Sequence, residues 1–430
     1  MRNLTAALLM FVAVSASASC GRASRSDERT GASDTVNSAT AWSVAVQPTP
    51  SPSGPNSSEP QLTASSRGIT VSWVERAGTT AHLKFAERSA SGWSAPLAAA
   101  SGSDWFLSYA DVPSVARLSD GTLVAQWLQT IDPIREAYNL RLSYSKDNGK
   151  TWAPSFLPHH DGTRSQHGFA SLIELPGDAL GVVWLDGRHS EFLDNDPTSG
   201  TMTLRYAAYD SSWKQTVDAE IDHNVCECCS TAAVPTTDGV LVAFRDRAVS
   251  PEKEIRDIAV ARLENGKWTE PRPVYNDNWE MYACPVNGPA LSARGRQAAV
   301  AWFTVKNDQG QAYAAFSSDA GRSWGAPIRL DDAASLGRVD IELLDDGSAA
   351  ATWVEYANGR GQFRLRRVES SGAKSAAITV AGVQGSSTSG FPRLARYGNE
   401  LVFAWTESTQ GAGESDSVLT VHTAAASLPQ

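Results

Sequence analysis

The chain repeats one hydrophobic pattern seven times. In each copy, a short apolar run ends in an aromatic residue, and a polar residue usually follows two positions later, as in ITVSWVE, LGVVWLD and AAATWVE. Short runs of this kind, bounded by turn residues, predict β-strands, and no long amphipathic helical pattern accompanies them. Their spacing of roughly fifty to sixty residues is typical of propeller blades. The repeat aromatics are Trp73, Trp127, Trp184, Phe244, Trp302, Trp353 and Trp405.

Strand-like stretches precede and follow each copy, and a short fourth stretch such as TWAPSFL or SWGAPIRL often comes next. Four antiparallel strands per unit, repeated radially, form a β-propeller. We therefore predict an all-β propeller of seven four-stranded blades over residues 41–429, with six blades as the alternative. The last unit lacks a fourth strand, so AWSVAV (41–46) is predicted to close the ring within residues 41–47, and residues 48–60 form a linker.

Two turns carry a more specific signature. SKDNGKTW (145–152) and SSDAGRSW (317–324) match S-x-D-x-G-x-[ST]-W, which resembles the Asp-box repeat of the sialidase-like propellers. In such a turn the Asp accepts hydrogen bonds, the Gly permits a positive φ and the Trp packs between sheets. Asp147 and Asp319 are thus expected to brace turns rather than to take part in chemistry.

The repeats predict which residues meet at one face. In a propeller the first strand of a blade begins where the second strand ends, and ligands usually bind at that face. An arginine cluster there would suit a carboxylate, sulfate or phosphate, whereas structural ion pairs are the alternative for each residue. The residues expected at this mouth are Glu75, Gln129, Asp186, Arg188, Arg245, Asp246, Arg247, Thr304, Glu355, Glu407, Asp111, His167, Asn287, Arg338 and Arg393.

Four cysteines are expected at the same mouth: Cys226, Cys228 and Cys229 in CECC, and Cys284 in CPVNGP. Cys226 and Cys284 each precede their repeat aromatic by eighteen positions, so they are equivalent in adjacent blades. Three interpretations stay open. They are disulfides such as Cys226–Cys284, a Cu(I) or Zn(II) site, and a redox-active Cys228–Cys229 pair. The additional metal ligands considered are His167, His223 and Met281.

The N-terminal segment has the features of an export leader. Residues 1–19 combine Arg2, an apolar run and the small residues SASAS. The next residue, Cys20, resembles a lipobox cysteine whose lipidation would anchor the protein, and residues 20–40 are predicted to be a disordered Ser/Thr-rich tether. We expect a lipoprotein of the bacterial cell envelope, facing the periplasm or the cell surface, with plain secretion as the alternative.

Composition narrows the class of partner. The 430 residues are 42% hydrophobic and 20% charged, as in ordinary globular proteins. The net charge of −10 leaves no basic footprint for nucleic acid. A monomer is expected, with a membrane as partner through the lipid anchor.

Most of residues 60–425 resemble the sialidase superfamily, and the CECC, FRDR and CPVNGP stretches resemble exported proteins with sialidase-like names. The resemblance implies release of terminal sialic acid by three arginines, a Tyr–Glu pair and an Asp acid. The Arg-Ile-Pro motif of true sialidases is absent from the nearest counterpart, DVPSVARLSDG (111–121). No Tyr is assigned as the nucleophile, and Tyr109 and Tyr282 are candidates solely by their nearness to the mouth. The predicted catalytic residues are Asp186, Asp246, Arg188, Arg247 and Arg338. The predicted ligand-binding residues are Arg245, Arg393, His167, Asn287 and Glu355.

Two hypotheses follow. In the first, the protein is an envelope glycan-acting propeller that binds or cleaves an acidic sugar, as an exo-α-sialidase or another glycosidase or lyase would. In the second, it is a non-catalytic binding propeller with a Cu, Zn or redox site at Cys226, Cys228, Cys229 and Cys284. The first accounts for the arginines and carboxylates, and the second accounts for the thiols.

Overall fold

The computed structural model describes residues 42–190, 200–386, 389–409 and 417–429. The predicted leader, Cys20 and the tether lie outside the described residues. All described residues belong to one compact unit, residues 39–430. No helix in the described ranges is long and apolar enough to cross a membrane.

The described part is built from 31 strands. The first half contains β1 (Gln47–Thr49), β2 (Ser57–Ser65), β3 (Gly68–Ala77), β4 (Thr80–Ser89), β5 (Gly92–Trp93), β6 (Leu97–Gly102), β7 (Ser114–Arg117), β8 (Leu123–Asp132), β9 (Ala137–Ser145), β10 (His167–Leu175), β11 (Ala179–His189), β12 (Thr201–Tyr209), β13 (Gln215–Val225), β14 (Ala232–Thr236) and β15 (Gly239–Arg245). The second half contains β16 (Ala248–Val249), β17 (Glu254–Ile255), β18 (Ile258–Glu264), β19 (Lys267–Trp268), β20 (Arg272–Pro273), β21 (Ala290–Arg294), β22 (Gln297–Lys306), β23 (Gln309–Ser317), β24 (Ile328–Arg329), β25 (Ala334–Leu343), β26 (Ala349–Ala357), β27 (Arg360–Val368), β28 (Ile378–Val383), β29 (Arg393–Tyr397), β30 (Glu400–Thr409) and β31 (Val418–Ser427).

These strands form seven antiparallel blades, so the predicted fold and blade number are confirmed and the six-blade alternative is wrong. The innermost strands of blades 1 to 7 are β2, β7, β10, β14, β21, β25 and β29. Residues on or just before all seven of them line one central cavity of about 380 Å³, as radial repetition requires. In blade 2, β7–β9 are completed by Phe156, which exchanges two backbone hydrogen bonds with Leu142.

The ring is closed by a different segment from the one predicted. The strand that pairs with β31 is β1, Gln47–Thr49, and not AWSVAV. Residues 42–46 form no strand; Val44 is instead buried in the apolar interface between blades 6 and 7. The predicted linker also ends earlier, since β2 begins at Ser57. The alternating apolar residues of AWSVAV therefore belong to a segment that packs between two blades, and the closing strand β1 follows this segment directly.

Each pair of neighbouring blades shares its own apolar cluster, so the core consists of seven interfaces rather than one centre. The repeat aromatics all lie on the second strand of a blade, and Trp73, Trp184, Trp302 and Trp353 are fully buried. In three blades the indole N–H donates to the carboxylate two residues later; for Trp184 and Asp186 the distance is 2.8 Å. The recurring W-x-[DE] pattern is thus a structural brace.

The two signature turns have the local contacts predicted for them. Asp147 accepts hydrogen bonds from the backbone N–H and the hydroxyl of Thr151, at 2.9 and 2.7 Å. Asp319 accepts the same pair from Ser323, at 2.9 and 2.6 Å. These bonds lower the pKa of Asp147 to about 2. Both carboxylates are therefore committed to their turns.

Candidate functional site

The blade registers bring the ends of second strands and the starts of first strands to one rim. His167 at the start of β10 pairs with Asp186 on β11, and Ser335 on β25 pairs with Glu355 on β26. Cys226 and Cys284 each lie six residues before the innermost strand of their blade, at Ala232 and Ala290. The predicted mouth therefore exists as a set of neighbouring backbone positions, although the side chains there have different environments.

One opening at this rim is a cleft of about 760 Å³ that is lined by residues from blades 2, 3 and 4 and by Tyr282. Its described lining includes four arginines, one carboxylate and one phenol. Arg135 comes from the turn between β8 and β9, and Arg164 from the segment before β10. The charged and phenolic lining residues are Arg135, Arg164, Arg247, Arg256, Glu227 and Tyr282.

Two of these arginines are neutralised by neighbours. Arg247 pairs with Glu254 (Nε to Oε1, 3.0 Å). Arg256 is buried and contacts Glu254, Glu227 (Nη1 to Oε2, 2.9 Å) and the Cys226 sulfur (Nη1 to Sγ, 3.1 Å). Because Glu227 is held by Arg256, the carboxylate of the cleft is already paired.

The other two arginines present guanidinium groups that are largely unpaired. Arg164 is 70% exposed, and its nearest described carboxylate oxygen, on Asp132, is 3.9 Å from Nη1. The exposed side chain of Arg135 has no ion-pair partner among the described residues. Within the described part of the chain, the cleft therefore offers positive charge without a close counter-ion on a protein whose net charge is −10.

A separate polar cluster forms around the start of blade 3. Arg188 forms a bidentate pair with Asp186, at 2.8 Å for both Nε–Oδ1 and Nη2–Oδ2. Its Nη2 also lies 3.5 Å from Oδ2 of Asp161, which the rings of His159 and His167 approach. Burial opposes ionisation of Asp186, but the Arg188 hydrogen bonds and the charges of His167 and Arg188 outweigh it, and they lower the pKa of that carboxyl. Asp186 and Arg188, both predicted to be catalytic, are thus paired with each other.

The thiols of CECC form a compact group. The Sγ of Cys226 is 3.1 Å from that of Cys229 and 3.7 Å from that of Cys228. Burial works against a thiolate at Cys226, yet hydrogen bonds from the two neighbouring thiols and the charges of Arg256 and Arg245 hold its pKa well below its usual value. Hydrogen bonding to Cys226 raises the pKa of Cys228 instead. One thiolate among neutral thiols is the expected state of the metal-free group.

Cys284 joins the edge of this group. It is exposed, and its Sγ lies 3.8 Å from Oε1 of Glu227. No disulfide links the four described cysteines, so the predicted Cys226–Cys284 staple is absent from this structure. The two stretches nevertheless meet closely: a Cβ on Gly288 of CPVNGP would lie 2.0 Å from the carbonyl oxygen of Ser230, which follows CECC.

Several predicted ligand-binding residues turn out to be braces. Arg245 is 2% exposed, and its guanidinium donates to backbone carbonyls on both sides of the blade 4–5 boundary. Glu355 accepts from the Trp353 indole at 2.8 Å and pairs with Arg364. The Asn287 side chain accepts from the backbone N–H of Arg338. These contacts leave Arg245 and Glu355 no opening to a ligand.

Most of the remaining predicted residues do not line the cleft. Arg338 donates to the carbonyl of Ser386, far along the chain from the cleft residues, and Arg393 lines the central cavity with Asp340. Asp246 is not part of the cleft lining; burial and the charge of Asp222 raise its pKa to about 6. His223 is 86% exposed on its side chain, and it contacts Asp222 rather than the thiols. Of the predicted catalytic set, Arg247 alone is among the described residues that line the cleft.

The prediction missed Arg135, Arg164, Arg256, His159 and Asp161. Arg135 and Arg256 lie just before third strands, β9 and β18. In an antiparallel blade the start of the third strand shares a rim with the end of the second, so the mouth receives three sets of residues and only two were considered. The H-x-D spacing of His159 and Asp161 was a further available signal.

No protein-family model and no curated protein matches the chain. The polysaccharide lyase Uly1 is similar, with a TM-score of 0.50 and 11% identity over 86% of this chain and 90% of Uly1. A protein of unknown function from Dyadobacter fermentans has a TM-score of 0.49 and 12% identity over 87% of this chain and 95% of its own. The NanB sialidase from Streptococcus pneumoniae has a TM-score of 0.47 and 10% identity over 76% and 68%.

At this identity, the similarity to Uly1 shows a shared fold and nothing of substrate or activity. The chain is therefore a seven-bladed β-propeller that shares its fold with Uly1.

Proposed function

We propose that the protein binds an acidic glycan in the cleft between blades 2 and 4. The observation that carries this proposal is the pair of guanidinium groups on Arg135 and Arg164, which line the cleft without a close carboxylate among the described residues. A planar guanidinium pairs with carboxylate or sulfate through two parallel hydrogen bonds, and such charge-assisted bonds are about twice as strong as neutral ones. The ligand class is thus a uronate, sialate or sulfated saccharide.

Cleft size and lining support the same class. A volume of about 760 Å³ lies within the range of small-molecule sites and would hold a short oligosaccharide. Exposed Tyr282 adds a ring at the edge, where a sugar face can stack. The shared fold with a polysaccharide lyase is compatible with a saccharide ligand, but the proposal depends on the guanidinium groups of Arg135 and Arg164.

Binding is favoured over hydrolysis. Most glycosidases use two carboxyl groups that flank the scissile bond, about 5 to 10 Å apart, and the sialidase set of a Tyr–Glu pair with an Asp acid also includes two carboxyl groups. Among the described lining residues, Glu227 is the one carboxylate, and Arg256 holds it at 2.9 Å. A fluorogenic sialoside tests the sialidase alternative: turnover that Arg247→Ala abolishes would establish it, and we expect no turnover.

The binding proposal predicts selectivity for charge. Calorimetric titration with 3′-sialyllactose and with a galacturonate trimer should show binding for at least one of them, and the neutral counterparts lactose and the methyl-esterified trimer should not bind. Arg164→Ala should weaken the binding about 10- to 100-fold, because a hydrogen bond to a charged group contributes about 1.5–3 kcal/mol. Higher salt should weaken it further.

A matched control is Arg272→Ala, which removes an exposed arginine from β20, outside the cleft lining. This variant should bind as the parent does. Equal affinity for acidic and neutral sugars, or unchanged affinity in Arg164→Ala, would contradict the proposal.

A second candidate function is a thiolate metal site. Cys226, Cys228 and Cys229 place three sulfur atoms within 4.8 Å of one another, and Arg256 and Arg245 can balance their negative charge. Thiolates favour Cu(I) or Zn(II). Protein purified without chelator should then contain Cu or Zn that Cys228→Ser loses. A disulfide between any of the four cysteines in protein isolated without reductant, with no metal bound, would instead support the disulfide or redox interpretation.

The proposed location is the bacterial cell envelope, with lipidated Cys20 as the new N-terminus. The mass of the mature N-terminal peptide tests this part: a diacylglyceryl-modified Cys20 supports anchoring, and an unmodified residue supports secretion.

A further inference from the structure

The four described cysteines form a series that runs from the surface to the interior. Cys284 is exposed and Cys228 is half-buried, whereas Cys226 and Cys229 are 1% and 2% exposed. The thiols of Cys284 and Cys228 interact with each other. The Cys228 sulfur lies 3.7 Å from that of Cys226, which in turn lies 3.1 Å from that of Cys229. Each sulfur therefore has a neighbour one step further from solvent, and Cys284 is the member of the series that a solute can reach.

The local backbone favours a bond between Cys226 and Cys229. Glu227 and Cys228 occupy a turn directly after β13, so the two buried cysteines stand at its ends in a C-x-x-C spacing. A four-residue turn keeps its end Cα atoms within about 7 Å, and a disulfide spans Cα atoms about 4.4–6.8 Å apart. The turn therefore favours the Cys226–Cys229 pair over the Cys228–Cys229 pair predicted from the sequence.

A cation lies beside the sulfur at the centre of the series. Nη1 of Arg256 is 3.1 Å from Sγ of Cys226, and this guanidinium also contacts the Glu227 carboxylate. Disulfide exchange proceeds by attack of a thiolate on a disulfide sulfur, with a second thiolate as the leaving group. A hydrogen-bond donor with positive charge stabilises a thiolate in either role.

Backbone packing keeps Cys284 next to the turn. The stretch that follows it lies directly on the end of CECC, because Gly288 has no Cβ to collide with the Ser230 carbonyl oxygen. The Cys284 sulfur is also 3.8 Å from Oε1 of Glu227, within the turn. The exposed thiol is therefore held beside the other three by contacts between blades 4 and 5.

We propose that Cys226 and Cys229 form a reversible dithiol–disulfide couple that exchanges with external disulfides through Cys284. The Cys284 thiolate attacks one sulfur of the external disulfide, breaks its S–S bond and releases the first external thiolate. Attack by Cys228 on the Cys284 sulfur releases the second external thiolate and forms a Cys228–Cys284 disulfide. Cys226 then attacks Cys228 and returns Cys284 as a thiolate. Attack by Cys229 on Cys226 frees Cys228 and completes the transfer.

The sum of these steps is one two-electron oxidation. Cys226 and Cys229 lose two electrons and two protons, and the external disulfide gains both and becomes two thiols. Cys228 and Cys284 end as the thiols they were at the start. The couple is independent of glycan binding. In the reduced state its sulfur atoms remain available to the metal ion of the second candidate function, and oxidation would release that ion.

Reaction with a small-molecule disulfide tests the couple. The reduced full-length protein is incubated with oxidised glutathione and a chelator, alkylated at intervals and mapped by tandem mass spectrometry. The final product should carry a Cys226–Cys229 disulfide, with Cys228 and Cys284 alkylated, and an excess of reduced glutathione should restore all four thiols. A different final pairing, four unreacted thiols or a disulfide that reduced glutathione leaves intact would overturn the proposal.

A matched pair of variants tests the entry point. Cys284→Ser should slow the formation of the Cys226–Cys229 disulfide about 10-fold or more, because the remaining thiols are shielded from solvent. Ala283→Ser alters the adjacent exposed residue, leaves every thiol in place and should react at the parental rate. Circular dichroism verifies the fold of both variants, and the disulfide map of the parent needs no variant. A parental rate in Cys284→Ser would contradict exchange through Cys284.

Discussion

Replacing Arg245 with alanine should lower the free energy of unfolding by about 3–5 kcal/mol, the range for breaking a buried charged network. The guanidinium is 2% exposed and stacks on Trp279, 4.8 Å from the ring centroid. It donates to the carbonyl oxygens of Asn287 at 2.7 and 2.9 Å, Arg256 at 2.6 Å and Phe303 at 2.8 Å. Truncation would leave three carbonyls without this donor, each at about 1–3 kcal/mol, and would open a cavity.

Urea unfolding followed by tryptophan fluorescence measures this effect. Arg272→Ala is the matched control, because its side chain is exposed and should change stability by no more than about 0.5 kcal/mol. Loss of under 1 kcal/mol in Arg245→Ala would show that the arginine is not a brace between blades 4 and 5, and it would restore Arg245 as a ligand-binding candidate.

Stability should fall as the pH rises from 6.5 to 8.5. Burial raises the pKa of Asp111 to about 7, and burial together with the Asp111 charge raises that of Glu59 to about 7 against the opposing effect of Arg76. A carboxyl whose folded pKa exceeds its unfolded value keeps its proton longer in the folded state. The free energy of unfolding is therefore highest below the unfolded pKa, and it declines as the pH rises from the unfolded pKa to the folded pKa. For Asp111, the shift from 3.8 to about 7 corresponds to about 4 kcal/mol over the whole range, of which about 1 kcal/mol falls between pH 6.5 and 8.5.

The window starts at pH 6.5 because His159 acts in the opposite direction below it. Its lowered pKa of about 3 destabilises the folded state as the pH falls through the usual histidine value of 6.5. Between pH 6.5 and 8.5 the raised carboxyls should dominate the slope.

Asp111→Asn tests one of these groups; Glu342, whose pKa burial raises to about 8, titrates in the same window and keeps its own share of the slope. The Asp111 carboxylate accepts from the backbone N–H of Phe169 at 2.8 Å, while its Oδ2 has no partner among described groups. An amide keeps the accepted bond and carries no charge. At pH 8.5 the free energy of unfolding of the variant should therefore exceed that of the parent by at least about 2 kcal/mol, and it should change less with pH. Asp308→Asn, at an exposed turn, should keep the parental slope. A parental slope in Asp111→Asn would contradict the assignment.

Some features of the site could be predicted from the sequence because they follow from the blade repeat. The offset of eighteen residues correctly placed Cys226 and Cys284 at one rim, because equivalent positions in radial repeats share a height in the ring. The same logic brought His167 opposite Asp186. The blade repeat does not predict the orientation or the hydrogen-bond partners of each side chain, because these depend on neighbouring blades. Arg245 and Glu355 were thus taken as ligand-binding residues although they brace the fold.

The sequence alone determined the seven-bladed all-β architecture, since strand periodicity, the buried aromatic in each second strand and the turn signatures are local properties that repeat. Tertiary structure alone decided which charges remain free. Arg135 and Arg164 come from different blades, His159 and His167 from opposite ends of a loop, and their chemistry depends on which carboxylates and carbonyls packing places beside them. Ion pairing and burial are decided over a few ångströms, and that distance is set by the contacts of many residues far apart in the chain.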